Sequence, residues 1–134
     1  MNATNLSNSS FVGHYNKKIA YFLIGLGLLS LILSIINLLI GNFFLSNFFS
    51  GSVGLLGGFL YLKNPYFSYS NGELTLYSLI GIKVKKYQLD SNELFLENNK
   101  IYLQGNEKRI KIPISKFMTE EDDWQRLIAL TQQR

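Results

Sequence analysis

The sequence predicts an α+β membrane protein, built as an N-terminal two-helix transmembrane hairpin followed by a small antiparallel β-sheet that a C-terminal amphipathic helix caps. Three observations predict it. From Ile19 to Leu62 no Asp, Glu, Lys, Arg or His interrupts an almost continuous apolar run. From Tyr66 to Ser115 short apolar-rich segments alternate with turn signals. From Thr119 to the C-terminus acidic residues precede apolar residues at helical spacing. All 22 Lys, Arg, Asp and Glu of the 134-residue chain lie outside the apolar run, so the modest formal charge of +4 averages an apolar half and a polar half.

Taken in order, Met1 to Asn16 is rich in Asn and Ser, and residues 1–16 are expected to form a disordered polar tail. Asn2, Asn5 and Asn8 each open an N-x-S/T triplet, a glycan acceptor only in a eukaryotic lumen. Residues 17–64 make the hairpin. Ile19 to Ile40 supplies the roughly 20 apolar residues needed to cross a hydrocarbon core about 30 Å thick. Phe43 to Leu62 is as long, and Gly41-Asn42 between them suits a tight reversal because both residues tolerate positive φ. The first run is too long for a signal-peptide core and lacks a small-residue cleavage site, so it is expected to stay in the mature protein. Lys17 and Lys18 before the pair and Lys63 after it, with no charge at the tip, predict both termini in the cytoplasm and a plasma or inner-membrane location. Tyr15, Tyr21, Phe22, Tyr61, Tyr66 and Phe67 at one border, and Phe43, Phe44, Phe48 and Phe49 near the tip, fit interfacial anchoring as well as plain apolar filling.

Small residues recur every three or four positions in both helices. Gly27, Ser30, Ser34, Asn37 and Gly41 share one face of the first, and Gly51, Gly54 and Gly58 share one face of the second. In lipid, where no hydrophobic force presses helices together, such faces allow close backbone approach. They are expected to pack on each other, with a partner's helix as the alternative occupant.

Residues 65–134 make the soluble domain. Pro65 ends the second helix and biases Asn64 toward extended conformations. Strands are expected near Tyr66 to Tyr69, Glu73 to Leu79, Lys83 to Leu89, Glu93 to Glu97, Ile101 to Gln104 and Arg109 to Ile114, separated by Asn71-Gly72, Ile80-Gly81, Asp90 to Asn92, Asn98-Asn99 and Gly105-Asn106. Ile110, Ile112 and Ile114 alternate with Arg109, Lys111 and Pro113, which predicts one buried and one wet face, and Pro113 places that strand at an edge or near its end. Thr119 and Asp122 have capping-box spacing, and Trp124, Leu127, Ile128 and Thr131 form the stripe of the terminal helix, with Trp124 as its anchor on the sheet.

The run KKYQLDSNELFLENNKIYLQ, Lys85 to Gln104, together with the order of elements over Ile19 to Gln133, resembles the bacterial PH-domain-like membrane proteins. The resemblance implies a pleckstrin-homology-like bent sheet plugged by its terminal helix. It also implies a cytoplasmic binding or scaffolding role, in some relatives toward lipid. Lys83, Lys85 and Lys86 are the nearest match to the basic residues with which such domains read phosphates, and Lys108, Arg109 and Lys111 form a second basic set. Outward lysines also simply keep sheet edges soluble, which is the commoner role.

Catalytic constellations are missing from the sequence. His14, the one histidine, falls in the expected tail, where nothing would orient or desolvate it, and the absence of cysteine removes thiolate chemistry and thiolate metal sites. Asp90, Glu93 and Glu97 lack a partner pattern, no cofactor fingerprint survives inspection of Gly25 and Gly27, and the basic excess is too small to suggest nucleic acid. A pore is unsupported by intramembrane polar residues beyond Ser34 and Asn37. Three roles remain: a non-enzymatic membrane-anchored binding or scaffold protein, a small accessory subunit packing through its Gly-rich hairpin against another membrane protein or a second copy, and an immunity-type protective protein.

Overall fold

The computed structural model describes residues 10–89 and 92–132. They form two compact units, one spanning Lys17–Lys63 and the other built from the described chain on both sides of it. The triplets at Asn2, Asn5 and Asn8 and the turn residue Asp90 lie outside the described residues.

The helical unit consists of α1 (Lys17–Leu39) and α2 (Leu45–Lys63), joined by a short connection in which Gly41 holds φ +87°. At about 1.5 Å per residue the helices are roughly 34 Å and 28 Å long. Both are long and apolar enough to cross a membrane. Their burial is the reverse of a water-soluble pair. Ala20, Gly27 and Ser34 of α1 and Gly51 and Gly58 of α2 are buried, whereas Leu26, Leu29, Ile32, Leu33, Phe48, Val53 and Phe59 are exposed.

The second unit contains seven strands and one helix among the described residues. Its first strand, β1 (Phe11–His14), precedes the helical pair. The others follow it: β2 (Pro65–Ser70), β3 (Glu73–Tyr77), β4 (Lys83–Gln88), β5 (Glu93–Glu97), β6 (Lys100–Gln104), β7 (Arg109–Ile112), then α3 (Glu121–Gln132). Two antiparallel sheets result, one of four strands in the order β1-β2-β3-β4 and one of three in the order β5-β6-β7. Turn chemistry sets the hairpins. Asn71 and Gly72 both have positive φ (50° and 73°), as do Asn98 and Asn99 (52° and 57°), the type I′ geometry whose twist matches the flanking strands. β7 is an edge strand that stops at Ile112, one residue before Pro113 could interrupt a ladder.

Several expectations are corrected here. The polar tail is not unstructured through Asn16, because Phe11–His14 pairs with β2, with Phe11 opposite Tyr69 and Gly13 opposite Phe67. Glycine at position 13 admits the Phe67 ring to the space that any side chain would take. His14 is likewise not loose: its backbone N–H donates to Asp123 Oδ2 at 2.9 Å, and its ring Nδ1 lies 3.1 Å from the same oxygen. Thr119 does not cap α3. Its hydroxyl donates to the Ser115 carbonyl at 2.7 Å, and Glu120 supplies the carbonyl that accepts the first helical N–H, from Trp124. Finally, Ile110 is exposed, so only Ile112 and Ile114 of the expected triad are buried.

The core of this unit is apolar and drawn from both sheets and α3: Phe67, Leu74, Leu76, Tyr87, Leu94, Ile101, Leu103, Ile112, Trp124 and Leu127. Trp124 is 0% exposed, the largest fully buried side chain in the unit. α3 contacts β5 of one sheet and β1 of the other, so it bridges the two. Tyr15 and Tyr66 stack at 4.5 Å between ring centroids, and the Tyr66 hydroxyl donates to the Pro113 carbonyl and accepts from the Ser115 N–H, both at 3.2 Å.

Candidate functional site

The six basic residues singled out by sequence fall into two separate places. Lys83, Lys85 and Lys86 lie on β4, an edge strand whose first four residues are all exposed. Pairing with β3 sets their faces: Leu76 stands opposite Lys85 and Leu74 opposite the buried Tyr87, so Lys85 emerges beside the core side, its Nζ 5.2 Å from the Tyr87 ring centre. Lys86 points the other way, to Glu73 Oε1 at 3.0 Å. Thr75 and Gln88 also donate to Glu73, at 3.3 and 2.8 Å. The hydrogen bond from Lys86, with its charge and those two donors, holds the Glu73 carboxyl below its ordinary value against a smaller opposing effect of burial. Lys86 is thus engaged within the sheet, and Lys83 and Lys85 carry the outward charge of this strand.

Lys108, Arg109 and Lys111 belong to the three-stranded sheet. Arg109 lies over two aromatic rings, 4.1 Å from the Tyr102 centre and 4.6 Å from Phe95, while its guanidinium hydrogen-bonds Glu97. Those rings stack on one another at 5.5 Å. A guanidinium on two ring faces with a carboxylate partner is a neutralised structural device more than an anion receptor. Lys111 is exposed opposite Tyr102, and Lys108 lines an open depression with Asn92, Leu103, Gly105, Asn106, Glu107 and Ile110, of which only Leu103 is buried. Such a surface desolvates nothing, so it offers no environment for general acid–base chemistry. Among the described residues no group of three or more His, Asp or Glu could hold a metal ion.

In the helical unit the small residues meet across a narrow seam. A Cβ added at Gly27 would stand 2.8 Å from the Gly51 carbonyl oxygen and from the Leu55 nitrogen; at Gly58 it would stand 2.4 Å from an Ile24 side-chain carbon and 2.9 Å from the Ala20 oxygen. A Cβ added at Gly54 would stand 3.2 Å from the Gly27 Cα. The Ser30 hydroxyl donates to the Asn47 carbonyl at 2.8 Å and lies 3.0 Å from Ser50 Oγ. Ser34 is 2% exposed, and its hydroxyl has no hydrogen-bond partner among the described residues. Asn37 is half-buried, and its carbonyl accepts from the Asn42 N–H at the end of α1. Gly25 and Gly57, off the seam, face open space.

Sequence reasoning missed the residues that tie the β unit together where the helical pair interrupts it. Asn16, immediately before α1, donates with its carboxamide to the Phe117 carbonyl at 3.2 Å; Asn64, immediately after α2, donates to the Leu79 carbonyl at 2.7 Å. An asparagine next to a lysine at each end of the apolar run was the available signal.

No protein-family model matches the chain, and no curated protein or solved structure matches it either.

Proposed function

We propose that the protein is a non-enzymatic, membrane-anchored binding module: the helical pair crosses the membrane, and a PH-like β domain works at the cytoplasmic face. The observation that carries the anchoring is the inverted burial of α1 and α2, with glycines inside and large apolar side chains outside. In water that surface would be a far larger exposed apolar patch than soluble proteins tolerate; in lipid it is the ordinary arrangement. Connectivity supports a crossing in pairs. β1 and β2 are neighbours in one sheet, with His14 opposite Pro65, and the whole helical pair is inserted between them. A chain that leaves a folded sheet and returns to it must come back to the same side. Lys17, Lys18 and Lys63 support the cytoplasm as that side.

Seven strands followed by one helix that bridges both sheets support the PH-like reading of the β unit. The binding face is the outer edge of β4. Among the described residues it pairs only with β3, and it presents Lys83, Val84 and Lys85 in the alternating pattern by which an edge strand receives an extended partner or an acidic surface. Photo-crosslinking tests the role in the full chain in its membrane. A crosslinker at Val84 should capture a protein partner, while one at Leu33 of α1 should capture lipid alone. Capture of another membrane protein through Leu33 and nothing through Val84 would assign the chain to the accessory-subunit role instead.

A further inference from the structure

Two loops of the β unit are bonded to the two residues that flank the helical pair. Asn16 holds the loop around Phe117 twice, through its carboxamide on the Phe117 carbonyl and through its backbone N–H on the Met118 carbonyl at 2.9 Å. Asn64 holds the loop between β3 and β4 through the Leu79 carbonyl, and Gly81 in that loop sits at φ +84° so close that an added Cβ would be 3.1 Å from Asn64 Oδ1. Asn16 immediately precedes Lys17 and Asn64 immediately follows Lys63, so each loop is bonded to a residue one position from the end of a helix.

The same loops carry large apolar side chains that nothing in the β unit covers. Phe117 is 74% exposed, Ile80 62% and Ile82 60%. One such residue needs no explanation, but three of them, on the two loops bonded to the residues that flank the helical pair, form a pattern. The loop from Ser78 to Ile82 is also fixed in shape, by Ser78 N–H to the Ile82 carbonyl at 2.8 Å and Gly81 N–H to the Ser78 carbonyl at 2.9 Å, so its isoleucines are presented and not merely frayed.

We infer that these loops are the lipid-contacting surface of the β unit, with Ile80, Ile82 and Phe117 entering the boundary between headgroups and acyl chains. The inference rests on the membrane-anchored reading above. Apolar side chains placed at that boundary are buried by several ångströms of interface, which removes the exposure they show in the protein alone. The contact would hold the β unit at a fixed height over the bilayer and leave the β4 edge to its partner.

The chain contains no cysteine, so single nitroxide labels can be placed at will. Full-length protein in lipid vesicles would carry a label at Ile80, Ile82 or Phe117, at Asn98 in the exposed β5–β6 turn, or at Leu33 in α1. Collision with oxygen, which concentrates in lipid, is compared with collision with a water-soluble nickel chelate. Labels at Ile80, Ile82 and Phe117 should shift toward oxygen relative to Asn98, though less than Leu33. If Leu33 is oxygen-rich while the three loop labels match Asn98, the inference fails and the anchor stands. Loop labels sheltered from both reagents would show a protein covering these loops and would also overturn it. A nickel-accessible Leu33 would overturn the anchored reading together with the inference.

Discussion

Gly27 and Gly25 are two residues apart in one helix, and their surroundings differ completely. Gly27 meets backbone of α2 within 2.8 Å of where a methyl would go, whereas Gly25 faces open space. Gly27→Ala is expected to cost about 1–3 kcal/mol through forced separation of the helices. Gly25→Ala should be neutral or slightly stabilising, since alanine is the better helix former; thermal melts of the full chain in mild detergent compare the two. Trp124, fully buried in the β unit, should cost about 3–5 kcal/mol on change to Ala. Circular dichroism of the same preparation reads that loss, and an unmoved melt would show that the ring carries none of the docking of α3. Glu73 gives an acid-side prediction. Its carboxyl is held below the ordinary value in the fold, chiefly by the Lys86 hydrogen bond, so its contribution is complete above the unfolded carboxylate range and is lost as pH falls through the lowered value. Stability of the Lys86→Gln variant, followed from neutral pH down through the carboxylate range, should fall less steeply than that of the parent.

At the scale of elements, the hairpins β2–β3 and β5–β6 were legible because their instructions are local. Asn71-Gly72 and Asn98-Asn99 specify two-residue turns whatever surrounds them, and Pro113 marks the end of β7 by the N–H it lacks. β1 was not legible. Four residues, one of them glycine, are too few for an alternation signal, and their partner β2 lies beyond the entire apolar run. The start of α3 depends on that same strand and its flank: Thr119 bridges to Tyr15 and the Glu120 N–H donates to the His14 carbonyl, while Asp123 accepts the His14 N–H, all across the apolar run in sequence. Of the basic residues, the alternation of Lys83 and Lys85 could be read directly, whereas the stacking of Arg109's guanidinium over Phe95 and Tyr102 depends on three strands coming together. The Asp123 contact is testable. Asp123→Ala removes a charged acceptor and should cost about 1.5–3 kcal/mol, with amide exchange rising in Val12 to Tyr15; Asp123→Asn keeps an acceptor and should lose less.

At the scale of the molecule, the helical pair is an insertion inside a β-sheet and not a leader in front of one. The β unit is therefore discontinuous in sequence, and a fragment beginning at Tyr66 would lack the strand that α3 and β2 both contact. On the membrane-anchored reading proposed above, the same arrangement requires both flanks of the pair on one side, because β1 and β2 must lie together for the four-stranded sheet to exist. Single cysteines at Ser10, Asn42 and Asn98, treated with an impermeant thiol reagent in intact expressing cells, test this most directly. Asn42 should react at once, and Ser10 and Asn98 should react only after the membrane is opened. Reaction of Ser10 or Asn98 in intact cells, or shielding of Asn42 until permeabilisation, would contradict a paired crossing with both flanks in the cytoplasm.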